Sequence, residues 1–347
     1  MNLLIAFLLT QDGLTNGAVY ALVALALVMV FSVTRVILVP QGEIIAFAAL
    51  TLASLRSGVA PALLWLVVAG GVFVAAIDLA AWLRDRRQRH ALKSALAYLL
   101  VPLLIAGAGW LGARADLPYG LQIALTILIV LPIGPILYRL AFQPVENSSV
   151  LVLLIVAVAV HVALLGLGLL MFGTEGVRTP PLVEGQVSFG ALFLSGQALF
   201  VWAVALGLIA LLFLFFGRTL QGKALRATAF NRTGARLVGI STSAAGATTF
   251  ALAALIGAVS GILAAPLTTI YYDTGFLIGL KGFVAAIVGG LVSYPLAALG
   301  ALALGLTETY ASFWASLFKD AIVFAAIIPI LLLRGLLSPH VEEEDEE

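Results

Sequence analysis

Residues 217–243 read GRTLQGKALRATAFNRTGARLVGISTS, with long apolar runs on both sides, Leu199 to Phe216 before and Ala244 to Ala265 after. The stretch carries five cations, Arg218, Lys223, Arg226, Arg232 and Arg236, and no acid. A loop this basic between two membrane spans is kept on the cytoplasmic side, because Lys and Arg near span ends bias orientation. Its interior, 223–237, has no Pro and a single Gly. It predicts one short amphipathic helix with Leu225, Ala229 and Leu237 on one side and the arginines elsewhere. A cytoplasmic helix on a chain otherwise committed to the bilayer reads as a contact for a partner.

Outward from this loop the apolar character continues along the whole chain. Of 347 residues, 63% are hydrophobic and 10% charged, whereas a soluble domain has about 45–50% apolar and 25% charged residues. Apolar runs long enough to cross a bilayer recur throughout, and the alternating ten-residue segments of a barrel are absent. The fold class is an all-α polytopic membrane protein with about nine to eleven transmembrane helices, counting a broken or re-entrant pair near 276–312. Residues 1–337 form the transmembrane domain, and 338–347 an acidic cytoplasmic tail. The net charge of +1 hides an asymmetry: residues 342–347 are all acidic, and the rest holds 18 Lys and Arg against 11 acids. Such a body suits contact with anionic lipid. The tail reads as a solvated charge run. There is no cysteine, which excludes disulfides and thiolate metal sites. No basic residue precedes Arg35, so a signal peptide is not expected, and residues 3–9 alone are too short to span.

Taken in order, the first span is 13–32, and its Gly13-x-x-x-Gly17 spacing lets helix backbones approach. VILVPQGE, 36–43, breaks the helix at Pro40 and Gly42 and reads as irregular backbone before a short span over 44–55. Further spans are expected over 61–83, 95–111, 119–138, 150–171, 199–216 and 244–270, the last with Gly257-x-x-x-Gly261 and Pro266. RDRRQRHALK, 84–93, is a basic cytoplasmic loop; in a soluble fragment it would suggest nucleic acid, but between apolar runs the positive-inside rule accounts for it. A turn over 139–149 precedes the sixth span, and a polar segment, 172–195, follows it. Runs over 276–292 and 296–306 are short and interrupted, predicting half-helices or tilted crossings, and a last span covers 321–333. With 217–243 inside, 13 of the 18 cations fall inside. The N-terminus is therefore placed outside and the C-terminus in the cytoplasm, and an odd number of crossings follows.

No cluster of residues suggests an enzyme. His90, His161 and His340 are far apart, and His161 sits in an apolar run without an acid near it in sequence, the setting of a packed side chain. Gly217-x4-Gly222-Lys223 approaches a phosphate-binding loop, but Ala224 replaces the magnesium-holding hydroxyl and an apolar helix replaces the preceding strand. Any ATP-driven motor would be another chain. Ionisable residues in the bilayer are costly and mark functional or paired sites. Asp78 is placed to snorkel toward the inner face, and Lys319-Asp320 to form an interfacial pair. Glu43, Lys281 and Glu308 lie beside helix breaks, where solute sites are built.

Four stretches carry a family resemblance: GLTNGAVYALVAL, 13–25; YRLAFQPV, 138–145; the set Gly222, Arg226, Asn231, Ala235, Gly239 and Ile240; and the glycine-rich region from Gly275 through Lys281, Gly289, Gly290 and Gly305 to Glu308. Together they resemble the membrane permease subunits of branched-chain amino acid ABC importers. The resemblance implies a bacterial inner-membrane permease for branched-chain or related amino acids that needs no cofactor. Its implied partners are a second permease, two ATP-binding subunits and a periplasmic solute-binding protein, with no nucleic acid among them. It makes Gly222, Arg226, Asn231, Ala235 and Gly239 the coupling residues. Gln41, Gly42, Glu43, Lys281, Gly289, Gly290 and Glu308 are the candidate translocation residues. Two departures stand out. Leu38-Val39-Pro40-Gln41-Gly42 differs from the family's usual Asn-Phe-Ala-His-Gly, and the interval from Gly42 to Tyr138 is longer than the resemblance leads one to expect, suggesting an added peripheral hairpin. The alternative readings are a self-sufficient channel or secondary transporter, and a non-transporting scaffold.

Overall fold

Where nearly every position is apolar, hydrophobicity no longer picks the buried face of a helix; small residues do, by letting backbones approach. The computed structural model describes residues 3–84, 89–189 and 192–325, with 328, 329 and 332 beyond. The acidic tail and the centre of the 84–93 loop lie outside the described residues.

The chain runs through α1 (Leu3–Thr34), α2 (Gln41–Arg56), α3 (Leu63–Arg84), α4 (Arg89–Arg114), α5 (Tyr119–Val130), α6 (Ile133–Leu137) and α7 (Val150–Phe172). After a two-stranded hairpin, β1 (Gln186–Phe189) and β2 (Leu192–Ser195), come α8 (Gly196–Arg218), α9 (Leu220–Phe230), α10 (Arg232–Leu237) and α11 (Thr242–Ala264). The chain ends through α12 (Thr274–Val288), α13 (Tyr294–Trp314) and α14 (Lys319–Ala325). Among the described residues eight helical segments are long and apolar enough to cross a membrane, and the chain is a multi-pass membrane protein. α12, at 15 residues, rises only about 22 Å and is completed by non-helical chain before it. α13 has 21 residues, so the expected pair of interrupted runs resolves into one short and one full-length helix.

α1 lies at the centre, buried on all sides from Gly17 to Val30 and packed by α8, α11, α12 and α13. It begins ten residues before the expected span, at Leu3, because residues 3–12 continue the helix instead of standing apart. The Gly13–Gly17 face meets α13: a Cβ on Gly17 would stand 2.9 Å from the Leu302 Cα, and one on Gly305 would stand 2.5 Å from the Gly17 nitrogen. Gly257 and Gly261 of α11 are pressed in the same way against α2, at Gln41, Ile44 and Ile45.

Ser149, Ser195, Thr219, Asn231, Ser241 and Ser293 each cap a helix, their side-chain oxygens accepting the backbone N–H three residues on. Residues 35–40 form irregular chain with Val36 and Leu38 buried in the core, but the irregular stretch expected over 36–43 ends at Pro40, because Gln41, Gly42 and Glu43 already form the first turn of α2. In the polar segment after α7, Val177 bridges Ile270 in both directions at 2.9 Å, tying that segment to the α11–α12 connection. α3 and α4 form a hairpin at the periphery, packed on each other and touching α2, α5 and α6.

Candidate functional site

The polar groups inside the bundle gather on the two sides of α12. At its start α2 crosses it backbone to backbone. A Cβ on Gly42 would fall on the Gly275 carbonyl, one on Gly275 would fall on the Gly42 carbonyl, and Gly279 lies against the Gly42 backbone. Only glycine permits that approach. Beside the crossing Glu43 is fully buried, and its Oε1 lies 2.8 Å from the Nδ1 of His161 on α7. The His161 ring stacks on Phe276 of α12 at 4.6 Å between centroids. His161 therefore has an acid after all. The partner comes from a helix over a hundred residues away, out of reach of any local reading. Gln41 turns toward α11, its Nε2 donating to the Ala253 carbonyl at 3.0 Å.

One turn and a half further along α12, Lys281 Nζ lies 2.5 Å from Glu308 Oε1 on α13, and Tyr20 of α1 donates to Glu308 Oε2 at 2.7 Å. Asp320 of α14 stands 3.3 Å from the same Nζ. The expected Lys319–Asp320 pair is thus replaced by one between helices. A charge in a low-dielectric interior persists only with an opposite charge and hydrogen bonds around it; here two acids and a phenol surround one ammonium. Asp78 also departs from the snorkelling reading. It is buried, paired with Arg139 at the end of the α6 segment, and accepts from Ser94 of α4 at 2.5 Å.

Glu43 with His161, and Lys281 with Glu308, are therefore brought to one helix. Gly289 and Gly290 are not. They make the turn from α12 into α13, where Gly290 has φ of 66° and a Cβ on Gly289 would meet the Ser293 carbonyl at 2.5 Å.

The basic loop folds as two helices, not one. Asn231 ends α9 with its own N–H on the Ala227 carbonyl and opens α10 by accepting from Gly234 N–H at 2.7 Å. The side chain that is poorest inside a helix is the best at its cap, so the break falls there. Leu225 is buried, but Leu237 is not, so the predicted apolar stripe is split. Gly222 packs on the last turn of α8, where a Cβ would fall on the Phe215 carbonyl. Ala235 is buried, and Gly239, at φ 85°, turns the chain toward α11.

The corner is held from the other side by Glu146. This side chain takes Arg232 at 3.0 Å, Arg236 at 3.2 Å and the Tyr138 hydroxyl at 2.8 Å. Two of the five cations are thus consumed within the protein. Beside the exposed Lys223 and Arg226 the corner presents apolar side chains: Phe230 is 94% exposed, Leu237 84% and Val238 76%. The sequence reading names Leu237 as part of an apolar stripe, but Val238 and Glu146 escape it because it follows the charges. The available signal was an aromatic in a helix of otherwise small and basic residues.

Inter-helical ion pairs buried in a multi-pass bundle, with one corner standing exposed between two of its helices, are the features of a membrane permease. The chain belongs to the family described as branched-chain amino acid transport system / permease component, whose model matches residues 94–332. It is similar to the high-affinity branched-chain amino acid transport system permease protein LivH of Escherichia coli strain K12, 30% identical over 352 residues and 96% of each chain. The LivH protein of Salmonella typhimurium is 29% identical over 343 residues, and BraD of Pseudomonas aeruginosa 27% over 348, each again covering 96% of both chains. No solved structure matches the chain.

Proposed function

We propose that this chain is the membrane subunit of an ATP-binding-cassette importer that moves branched-chain or related amino acids inward across a bacterial inner membrane. ATP hydrolysis is supplied by two separate subunits, and solute by a periplasmic binding protein. A second, similar permease completes the pathway. The N-terminus lies outside, and the α9–α10 corner and C-terminus lie in the cytoplasm.

The observation that carries this reading is the corner itself. Phe230, Leu237 and Val238 stand exposed on two short helices whose angle is fixed by Asn231 and Glu146. An exposed aromatic on a rigid support is what a hot spot looks like before its partner arrives. In this reading Gly222, Arg226, Asn231, Ala235 and Gly239 shape the coupling element. Motion of the corner reaches α12 through α11 and α1, and the residues flanking α12, Gln41, Gly42, Glu43, Lys281 and Glu308, change their exposure to the solute.

Reconstitution with the ATP-binding subunits, the second permease and the binding protein in liposomes tests it. Phe230→Asp should lower solute-stimulated ATP hydrolysis by about thirtyfold, the loss of one buried aromatic anchor, with insertion unchanged. Uptake by the chain alone, without ATP, would establish a secondary transporter instead.

A further inference from the structure

A second site lies on the membrane face at the α9–α10 end of the bundle. α1, α8 and α13 line a half-open groove of about 650 Å³, and Arg226 of α9 stands at its edge. Its walls are Leu25, Met29, Ile209, Leu212, Phe213 and Phe216. Its mouth is different. There Arg226 and Tyr294 meet beside Gly217. Gly217 is in the last turn of α8 and Tyr294 is the first residue of α13, so the mouth lies at the level where both helices leave the apolar layer. The lining carries one cation and no acid among the described residues. Among the described residues no carboxylate pairs with Arg226, in contrast to Arg232 and Arg236, which share Glu146.

We propose that this groove binds one anionic phospholipid of the adjoining leaflet, its phosphate on Arg226 and Tyr294 and an acyl chain against α1 and α8. The dimensions agree. From Gly217 to Ile209 along α8 is about 12 Å, most of one leaflet's roughly 15 Å of hydrocarbon. The chemistry agrees as well. A guanidinium hydrogen-bonds phosphate oxygens in a fixed fork, a tyrosine at the boundary keeps its ring in hydrocarbon and its hydroxyl among headgroups, and the first turn of α13 directs its positive dipole end to the same place. A water-filled groove would leave six large apolar side chains wet, and a polar solute would leave them unmatched; an acyl chain does neither. The bound lipid wedges α9 against α1 and α13, so the coupling corner would rest partly on lipid. The site requires only that the chain sits in a bilayer, and it stands whether or not the solute is an amino acid.

The full chain, purified into nanodiscs of phosphatidylcholine containing one fifth phosphatidylglycerol, tests this by native mass spectrometry of the released protein. The wild type should retain one phosphatidylglycerol per chain in preference to phosphatidylcholine. Arg226→Gln should weaken that retention about fivefold, the effect of one basic residue at an anionic surface, and should remove the headgroup preference. Ala298→Phe, which fills the apolar floor, should weaken retention of both lipids. Equal retention of the two lipids by the wild type, or phosphatidylglycerol retention unchanged in Arg226→Gln, overturns the proposal. So does a cross-link from this groove to a second permease subunit. Because the readout is lipid mass without ATPase or solute, its failure is separate from any failure of the importer reading.

Discussion

Gly42 and Gly107 both lie in membrane helices, and their surroundings could hardly differ more. Around Gly42 the α2 and α12 backbones touch, and a methyl group has no room. Around Gly107, in α4, nothing lies within 4 Å of a Cβ. The same contrast separates the α1, α2, α11, α12 and α13 core from the α3–α4 hairpin. The core carries backbone-to-backbone crossings and the Glu43–His161 and Lys281–Glu308 pairs. The hairpin turns large residues such as Trp65, Phe73 and Leu104 outward, and is tied to the rest by Asp78 on Arg139 and by Leu64 near Ile129. In lipid there is no hydrophobic gain in bringing two apolar helices together, so close packing and paired polar groups decide which helices form the working core. The hairpin has fewer of each: Gly71 sits tightly on the Tyr98 carbonyl, and Asp78 with Arg139 is its one pair among the described residues.

Perturbations of graded size should follow this division. Glu308→Leu leaves Lys281 buried beside an exposed-edge acid only, and should cost about 3–5 kcal/mol. The double variant Lys281→Met/Glu308→Leu should recover most of it, and unfolding by SDS titration measures both. If the double variant is as unstable as the single one, the pair is not an isolated electrostatic unit. Gly42→Ala comes next, at about 1–3 kcal/mol from forcing α2 off α12, read in the same titration; a neutral result would mean that the crossing is looser than it looks. Asp78→Asn should cost about 1 kcal/mol, less because Arg139 is a third exposed, and hydrogen exchange should rise in α3 and α4 but not in α12. Gly107→Ala should cost nothing and gain up to about 1 kcal/mol, the helix propensity of alanine over glycine. A loss there would show that the hairpin packs against something outside this chain.

Much of the architecture was legible along the chain. Apolar runs located the helices, and Pro40 marked the buried break before α2. The Gly13–Gly17 spacing announced a close helix contact, and α13 provides it. The misreadings share one cause. His161 was judged by its sequence neighbours, Asp78 by its distance to the nearest basic run, and Lys319-Asp320 by adjacency, while their partners come from other helices. Counting charge along the basic loop hides that Glu146 takes up two of its arginines and that Phe230, Leu237 and Val238 stand exposed on it.

By itself, then, the order of residues determined that this chain enters a bilayer, roughly where each helix lies and which segment stays out of the hydrocarbon. Those are sums of transfer energies over neighbouring residues, and they need no knowledge of what is across the bundle. Only the tertiary structure decided which buried charges pair with one another, that α12 gathers them, and that Arg226 lines an apolar groove while Arg232 and Arg236 brace a corner. Coulomb and hydrogen-bond energies act over a few ångströms in space, and residues a hundred positions apart come that close only after the helices have packed.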